Sequence, residues 1–89
     1  MMNKIFEGKK ILITGGTGSL GQALTKRLLK LDVDTIRIFS RNENNQITME
    51  SKMGDDRLRF LLGDIRDRER LIRATEDIDI VFHTAALKD

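Results

Sequence analysis

Short apolar runs alternate with amphipathic stretches along this chain. Four runs have strand length and β-branched or aromatic content: KKILIT at 9–14, TIRIFS at 35–40, LRFLLG at 58–63 and DIVFHTA at 79–85. Between the first two, Leu20, Leu24, Leu28 and Leu31 recur at helical spacing, with Lys26, Arg27 and Lys30 among the polar remainder. That pattern predicts an amphipathic helix beginning near Ser19. Residues 66–76 predict another helix, with Asp67 as its N-cap, Leu71 and Ile72 on its buried side, and Glu69 one turn before Arg73. Residues 42–56 are less regular. Their asparagines and glycine favour a loop, whereas Ile47, Met49 and Met53 make one short helical face, so a loop followed by a short helix is expected. The resulting order, β-α-β-α-β-α-β, implies parallel strand pairing through crossover helices. The fold class is α/β, a Rossmann-type parallel sheet occupying residues 1–89 as one domain.

Composition narrows the class. A chain of 89 residues is long enough for one domain, and its four Phe, with no Trp or Tyr, leave a core built mostly of Ile, Leu and Val. The absence of Cys and the single His exclude a disulfide framework and a zinc cluster. The sequence pI is about 9.2, but the net charge is only +2 and bases alternate with acids, as in DIRDRERLIR. Without a basic stripe, nucleic acid is not an expected partner. No stretch approaches the apolar length of a bilayer span and MMNKIFEGKK has no signal-like apolar region, so neither membrane nor export is expected and the setting reads as cytoplasmic.

The glycines of ILITGGTGSLG carry the chemistry. Gly16, Gly18 and Gly21 fit G-x-G-x-x-G, and Gly15, Gly18 and Gly21 fit G-x-x-G-x-x-G. Either set follows a strand and opens a helix, the context in which backbone N–H groups and a helix N-terminus hold a pyrophosphate. A P-loop is excluded because Gln22 stands where its lysine is required. The end of the second strand usually carries Asp or Glu in an NAD-binding domain, to meet the ribose 2′-hydroxyl. Ser40 and Arg41 stand there instead, a hydroxyl and a guanidinium suited to the 2′-phosphate of NADP rather than to NAD; the alternative is an ordinary surface arginine. Asp64 and Ile65 close the third strand, where Asp64 either meets an adenine amino group or caps a helix. His83, inside IVFHTA, reads as a packed, hydrogen-bonded residue rather than a catalyst.

TGGTGSLG, IFSRNENNQITM, LRFLLGDIRDRERL and DIVFHTAALK together resemble the extended short-chain dehydrogenase/reductases, and within them the polysaccharide-biosynthesis branch typified by UDP-N-acetylglucosamine 4,6-dehydratases. The resemblance runs from Gly8 to Lys88. It implies an NADP-binding enzyme that takes a hydride from C4 of a UDP-linked N-acetylhexosamine, eliminates water across C5 and C6, and returns the hydride to C6. By position it places Thr14, Gly15, Gly18, Ser19, Leu20 and Gly21 along the pyrophosphate, and Ser40 and Arg41 at the 2′-phosphate. It puts Asp64 and Ile65 at the adenine, Ala85 and Ala86 on the ribose side, and Lys88 toward the cofactor or sugar cleft. One departure is Asn45, which replaces a lysine that the branch usually brings to the 2′-phosphate. A second is the missing tyrosine, without which the superfamily's Tyr-x-x-x-Lys pair cannot form. The expectation is therefore the cofactor-binding N-terminal portion of a nucleotide-sugar dehydratase, inactive alone and meeting a UDP-sugar only in a full-length relative. The alternatives are a piece of an epimerase, a non-enzymatic NADP-binding or docking module, and a remnant that binds nothing. In a 3-2-1-4 sheet the fourth strand lies at an edge, which favours self-association.

Overall fold

In the computed structural model, which describes residues 2–84, the four apolar runs form β1 (Lys10–Thr14), β2 (Thr35–Ser40), β3 (Leu58–Leu62) and β4 (Ile80–His83). Between them lie α2 (Ser19–Leu28), α3 (Glu43–Met53) and α4 (Arg68–Ala74), and α1 (Met2–Phe6) precedes the first strand. All pairings are parallel and the strand order is β3-β2-β1-β4. The chain is thus a Rossmann-like α/β fold, as the alternation of runs requires.

The order explains which helix covers which face. From β1 to β3 the chain steps outward in one direction, so right-handed crossovers put α2 and α3 on the same side. The step from β3 back past β1 to β4 reverses direction and puts α4 on the other. Side-chain alternation along β1 matches this: Ile11 and Ile13 pack with Leu28 of α2 and Met49 of α3, while Leu12 packs with Phe39 and with Ala74 of α4. Ile11, Leu12, Ile13, Ile36, Ile38 and Phe39 are completely buried.

Several elements differ from expectation. α1 has no strong sequence signal; its Phe6 is held by tertiary contact, with its ring 6.1 Å from that of Phe82. α3 is a full helix of 11 residues rather than a loop followed by a short helix. Asn42 caps it, its side chain accepting from the Asn45 N–H at 2.9 Å, and Gly54 ends it at φ 52°. The asparagines that suggested loop are a cap and an exposed first turn. Ile47 is exposed, and Gln46 shares the inward side with Met49. In α4, Asp67 is the N-cap as expected, but Ala74 is the buried residue and Ile72 is exposed. Leu20, in the first turn of α2, is also half exposed.

One side chain ties the layers together. The Arg57 guanidinium donates to the carbonyls of Leu29 at 2.6 Å and Leu31 at 2.8 Å, and also to the Asp55 carboxylate. It joins the exit of α2 to the entry of β3.

Candidate functional site

Parallel strands end together, and the ends of β1, β2 and β3 open onto one cleft of about 440 Å³. Its position beside the strand ends is where open α/β sheets bind ligands. One wall is the glycine turn. Gly15 adopts φ 68° and donates its N–H to the Phe39 carbonyl at 2.8 Å, which suspends the turn from β2. Gly21 has a different reason: a Cβ there would lie 2.5 Å from the Gly16 Cα, so helix and turn meet backbone to backbone. Gly18 is the N-cap of α2 and brings no side chain to that end. First-turn N–H groups so left are suited to an anion.

The opposite wall begins at the end of β2. Ser40 is buried, and its Oγ accepts from Gln46 Nε2 at 3.0 Å. The Arg41 side chain is largely exposed and lies 3.7 Å from an Asp64 carboxylate oxygen. Arg66 holds that carboxylate more closely, through its guanidinium at 2.7 Å and its backbone N–H at 2.9 Å. The hydrogen bonds from Arg66, with help from the charge of Arg41, hold the Asp64 carboxyl well below the usual carboxylate range. Gly63 completes this wall by donating to the Ser40 carbonyl at 2.9 Å.

Of the residues singled out in the sequence, Gly15, Gly18, Ser40, Arg41, Asp64 and Ile65 line this cleft. Thr14, Ser19, Leu20 and Gly21 do not line it. Thr14 is buried beneath the turn and shares a hydrogen bond of 2.6 Å with His83 Nδ1. His83 is therefore hydrogen-bonded as expected, but it is exposed rather than packed. Of its two sequence roles, Asp64 is not a helix cap; Asp67 takes that place. Ala85, Ala86 and Lys88 lie outside the described residues.

The cleft also contains residues that the sequence did not single out for it, among them Thr17, Phe39, Asn42 and Arg66. Asn42 had a usable signal, an N-cap residue directly before an acidic first turn. Arg66 had none, since it sits in a stretch of alternating charge. Among the described residues no group of His, Asp and Glu is arranged to hold a metal ion, and no helix is long and apolar enough to cross a membrane.

Comparison with known proteins agrees with this architecture. The family model described as polysaccharide biosynthesis protein matches residues 11–89. Over 85 residues the chain is 48% identical to a UDP-N-acetylglucosamine 4,6-dehydratase (inverting) of Campylobacter jejuni, covering 94% of this chain and 25% of the relative. It is 44% identical over 88 residues to a UDP-glucose 4-epimerase of Rickettsia bellii, covering 94% and 26%. An uncharacterized membrane protein of Methanocaldococcus jannaschii is 44% identical over 87 residues, covering 98% and 26%. The chain thus spans about a quarter of the length of these relatives. Among solved structures, Pen from Bacillus thuringiensis superposes with a TM-score of 0.88 at 42% identity, covering 94% of this chain and 26% of that one. A short-chain dehydrogenase/reductase of Veillonella parvula in complex with NADP gives 0.70 at 26% identity, covering 84% and 34%. The Bordetella bronchiseptica enzyme WbmF in complex with NAD+ gives 0.69 at 25% identity, covering 89% and 23%.

Proposed function

The chain belongs to the polysaccharide biosynthesis protein family of the extended short-chain dehydrogenase/reductases, and from that premise we propose that its cleft is the adenosine and phosphate half of an NADP site. The observation that carries this is the pairing of a glycine turn on one wall with Ser40 and Arg41 on the other. Gly15 and Gly18 leave room for a pyrophosphate against backbone, and no carboxylate stands at the end of β2 to repel a 2′-phosphate. Arg41 is the phosphate ligand, free to turn because its side chain is largely exposed. Ile65 offers an apolar surface to the adenine, with Asp64 beside it. Ser19 and Leu20 offer the first-turn N–H groups of α2 to the pyrophosphate, while the buried Thr14 and Gly21 support the turn from behind. Ala85 and Ala86 are proposed for the ribose side, and Lys88 for the cofactor or sugar cleft.

In the whole protein the proposed reaction is 4,6-dehydration of a UDP-linked N-acetylhexosamine for surface polysaccharide, in the cytoplasm. The nicotinamide ring supplies hydride acceptance and return. These residues hold the nucleotide and fix its orientation, while the tyrosine and lysine chemistry of the superfamily belongs to other residues, since this chain has no Tyr. The likeness to the Rickettsia epimerase favours a second reading, in which the same cofactor half serves 4-epimerization.

The test is a ¹H–¹⁵N correlation spectrum titrated separately with NADP and NAD. The glycine turn and Arg41 should shift, saturating at lower NADP than NAD. Saturation by NAD first, or no response in a well-dispersed spectrum, overturns the NADP reading. Incubating a full-length relative with UDP-N-acetylglucosamine separates the two reactions, because dehydration loses water and epimerization conserves mass.

A further inference from the structure

Gln46 does not line the cleft, yet it is 6% exposed and reaches Ser40, itself 7% exposed. Its Nε2 lies 3.0 Å from Ser40 Oγ and 3.0 Å from the Leu61 carbonyl oxygen. A carbonyl only accepts, so the amide must turn its nitrogen toward Leu61, and that nitrogen only donates. Ser40 Oγ therefore accepts from Gln46. The hydroxyl proton is not spent on Gln46, and Ser40 stands on the cleft wall.

We propose that Gln46 is a positioning residue for nucleotide specificity: by occupying an Oγ lone pair it leaves Ser40 to act as a hydrogen-bond donor toward the cleft, favouring a ribose 2′-phosphate over a 2′-hydroxyl. This rests on the NADP reading and extends it to a residue buried behind the wall. A phosphate is an acceptor with charge and takes full value from a donor, whereas a ribose hydroxyl is served equally by a lone pair.

Gln46→Glu reverses the arrangement in either protonation state. An ionised carboxylate only accepts, and a protonated one gives its single proton to the Leu61 carbonyl, so in both cases Ser40 must donate to Glu and present a lone pair to the cleft.

The experiment titrates adenosine 2′,5′-bisphosphate and AMP into wild type, Gln46→Glu, Ser40→Ala and the double variant at fixed ionic strength, reading affinities from amide shifts. Wild type should prefer the bisphosphate by about tenfold or more. Gln46→Glu should lower that preference several-fold while leaving AMP affinity nearly unchanged, and should have little further effect once Ser40 is Ala. A wild type without the preference overturns the NADP reading and this proposal with it. A preference left undiminished by Gln46→Glu, or a loss of equal size in the Ser40→Ala background, overturns this proposal alone, since the second result would reflect charge and not hydroxyl direction. Should the variants unfold, wild type still decides. The Gln46 side-chain amide signals should shift more with the bisphosphate than with AMP, and equal shifts refute the coupling.

Discussion

Replacing Gly21 by Ala sets two effects of opposite sign against each other. Gly21 lies inside α2, where Ala is the better helix former by about 1 kcal/mol. Against that gain, the new Cβ would lie 2.5 Å from the Gly16 Cα and 2.7 Å from its carbonyl carbon and oxygen. These are backbone atoms of a turn fastened to β2, and they cannot rotate aside as the end of a side chain would. Overpacking costs about 1–3 kcal/mol, and contacts this short to backbone place the clash in the upper part of that range, about 2–3 kcal/mol, so a net loss of roughly 1–2 kcal/mol is expected. For a domain this small each kcal/mol shifts Tm by about 4–8 °C. Thermal and urea unfolding followed by circular dichroism should therefore show a Tm lower by roughly 5–15 °C. Ala23→Gly, at an exposed position in the same helix, measures the propensity contribution in place and should cost about 1 kcal/mol. A Gly21→Ala protein as stable as wild type, beside a destabilised Ala23→Gly, would falsify the backbone contact as the reason for this glycine.

Four further outcomes are expected. Arg41→Ala should lower the NADP preference by roughly 10- to 100-fold by calorimetry, the value of one charge-assisted hydrogen bond of about 1.5–3 kcal/mol; an unchanged preference would remove Arg41 from the site. Arg57→Ala should lower urea stability by about 1–3 kcal/mol, because the Leu29 and Leu31 carbonyls lose their donor; an unchanged midpoint would show that water replaces it freely. The depressed Asp64 carboxyl adds stability that is fully present above the unfolded value of about 3.9 and declines as pH falls below it, so acid unfolding of Asp64→Asn should lack part of that decline. β4 lies at the sheet edge with Val81 half exposed, so sedimentation should reveal self-association of the 89-residue chain at high concentration, weakened by Val81→Lys; a monomer at all concentrations would count against edge pairing.

The strands were legible because their runs are short and dense in Ile, Leu, Val and Phe; β2 occupies the same six residues, Thr35–Ser40, that the pattern indicated. Helix faces were read less well. Leu20 and Ile72 satisfy helical spacing but are exposed, because spacing alone does not locate the end of the covered surface. α3 was hidden by its asparagines, whose low helix propensity is overridden by the Asn42 cap and by Met49 packing into the core. The glycine turn and the end of β2 were legible because backbone conformation and charge impose residue types there. Gln46 was not, because its partners, Ser40 and the Leu61 carbonyl, are brought beside it only by the pairing of β2 with β3.

Two hydrogen bonds give the cleft a property of its own. Gly15 N–H reaches the Phe39 carbonyl and Gly63 N–H reaches the Ser40 carbonyl, so both walls hang from consecutive residues of the central strand β2. Neither wall can take shape before β1 and β3 have paired with β2 in register. A nucleotide that bridges the walls would consequently have no counterpart site in the unfolded chain, and its binding free energy would be added to folding. At a hundred times its Kd such a ligand contributes about 2.7 kcal/mol, a sizeable fraction of the roughly 4–13 kcal/mol typical of a domain of this length. The nucleotide would then serve this fold as a structural component, and the abundance of the folded chain would track the nucleotide concentration around it.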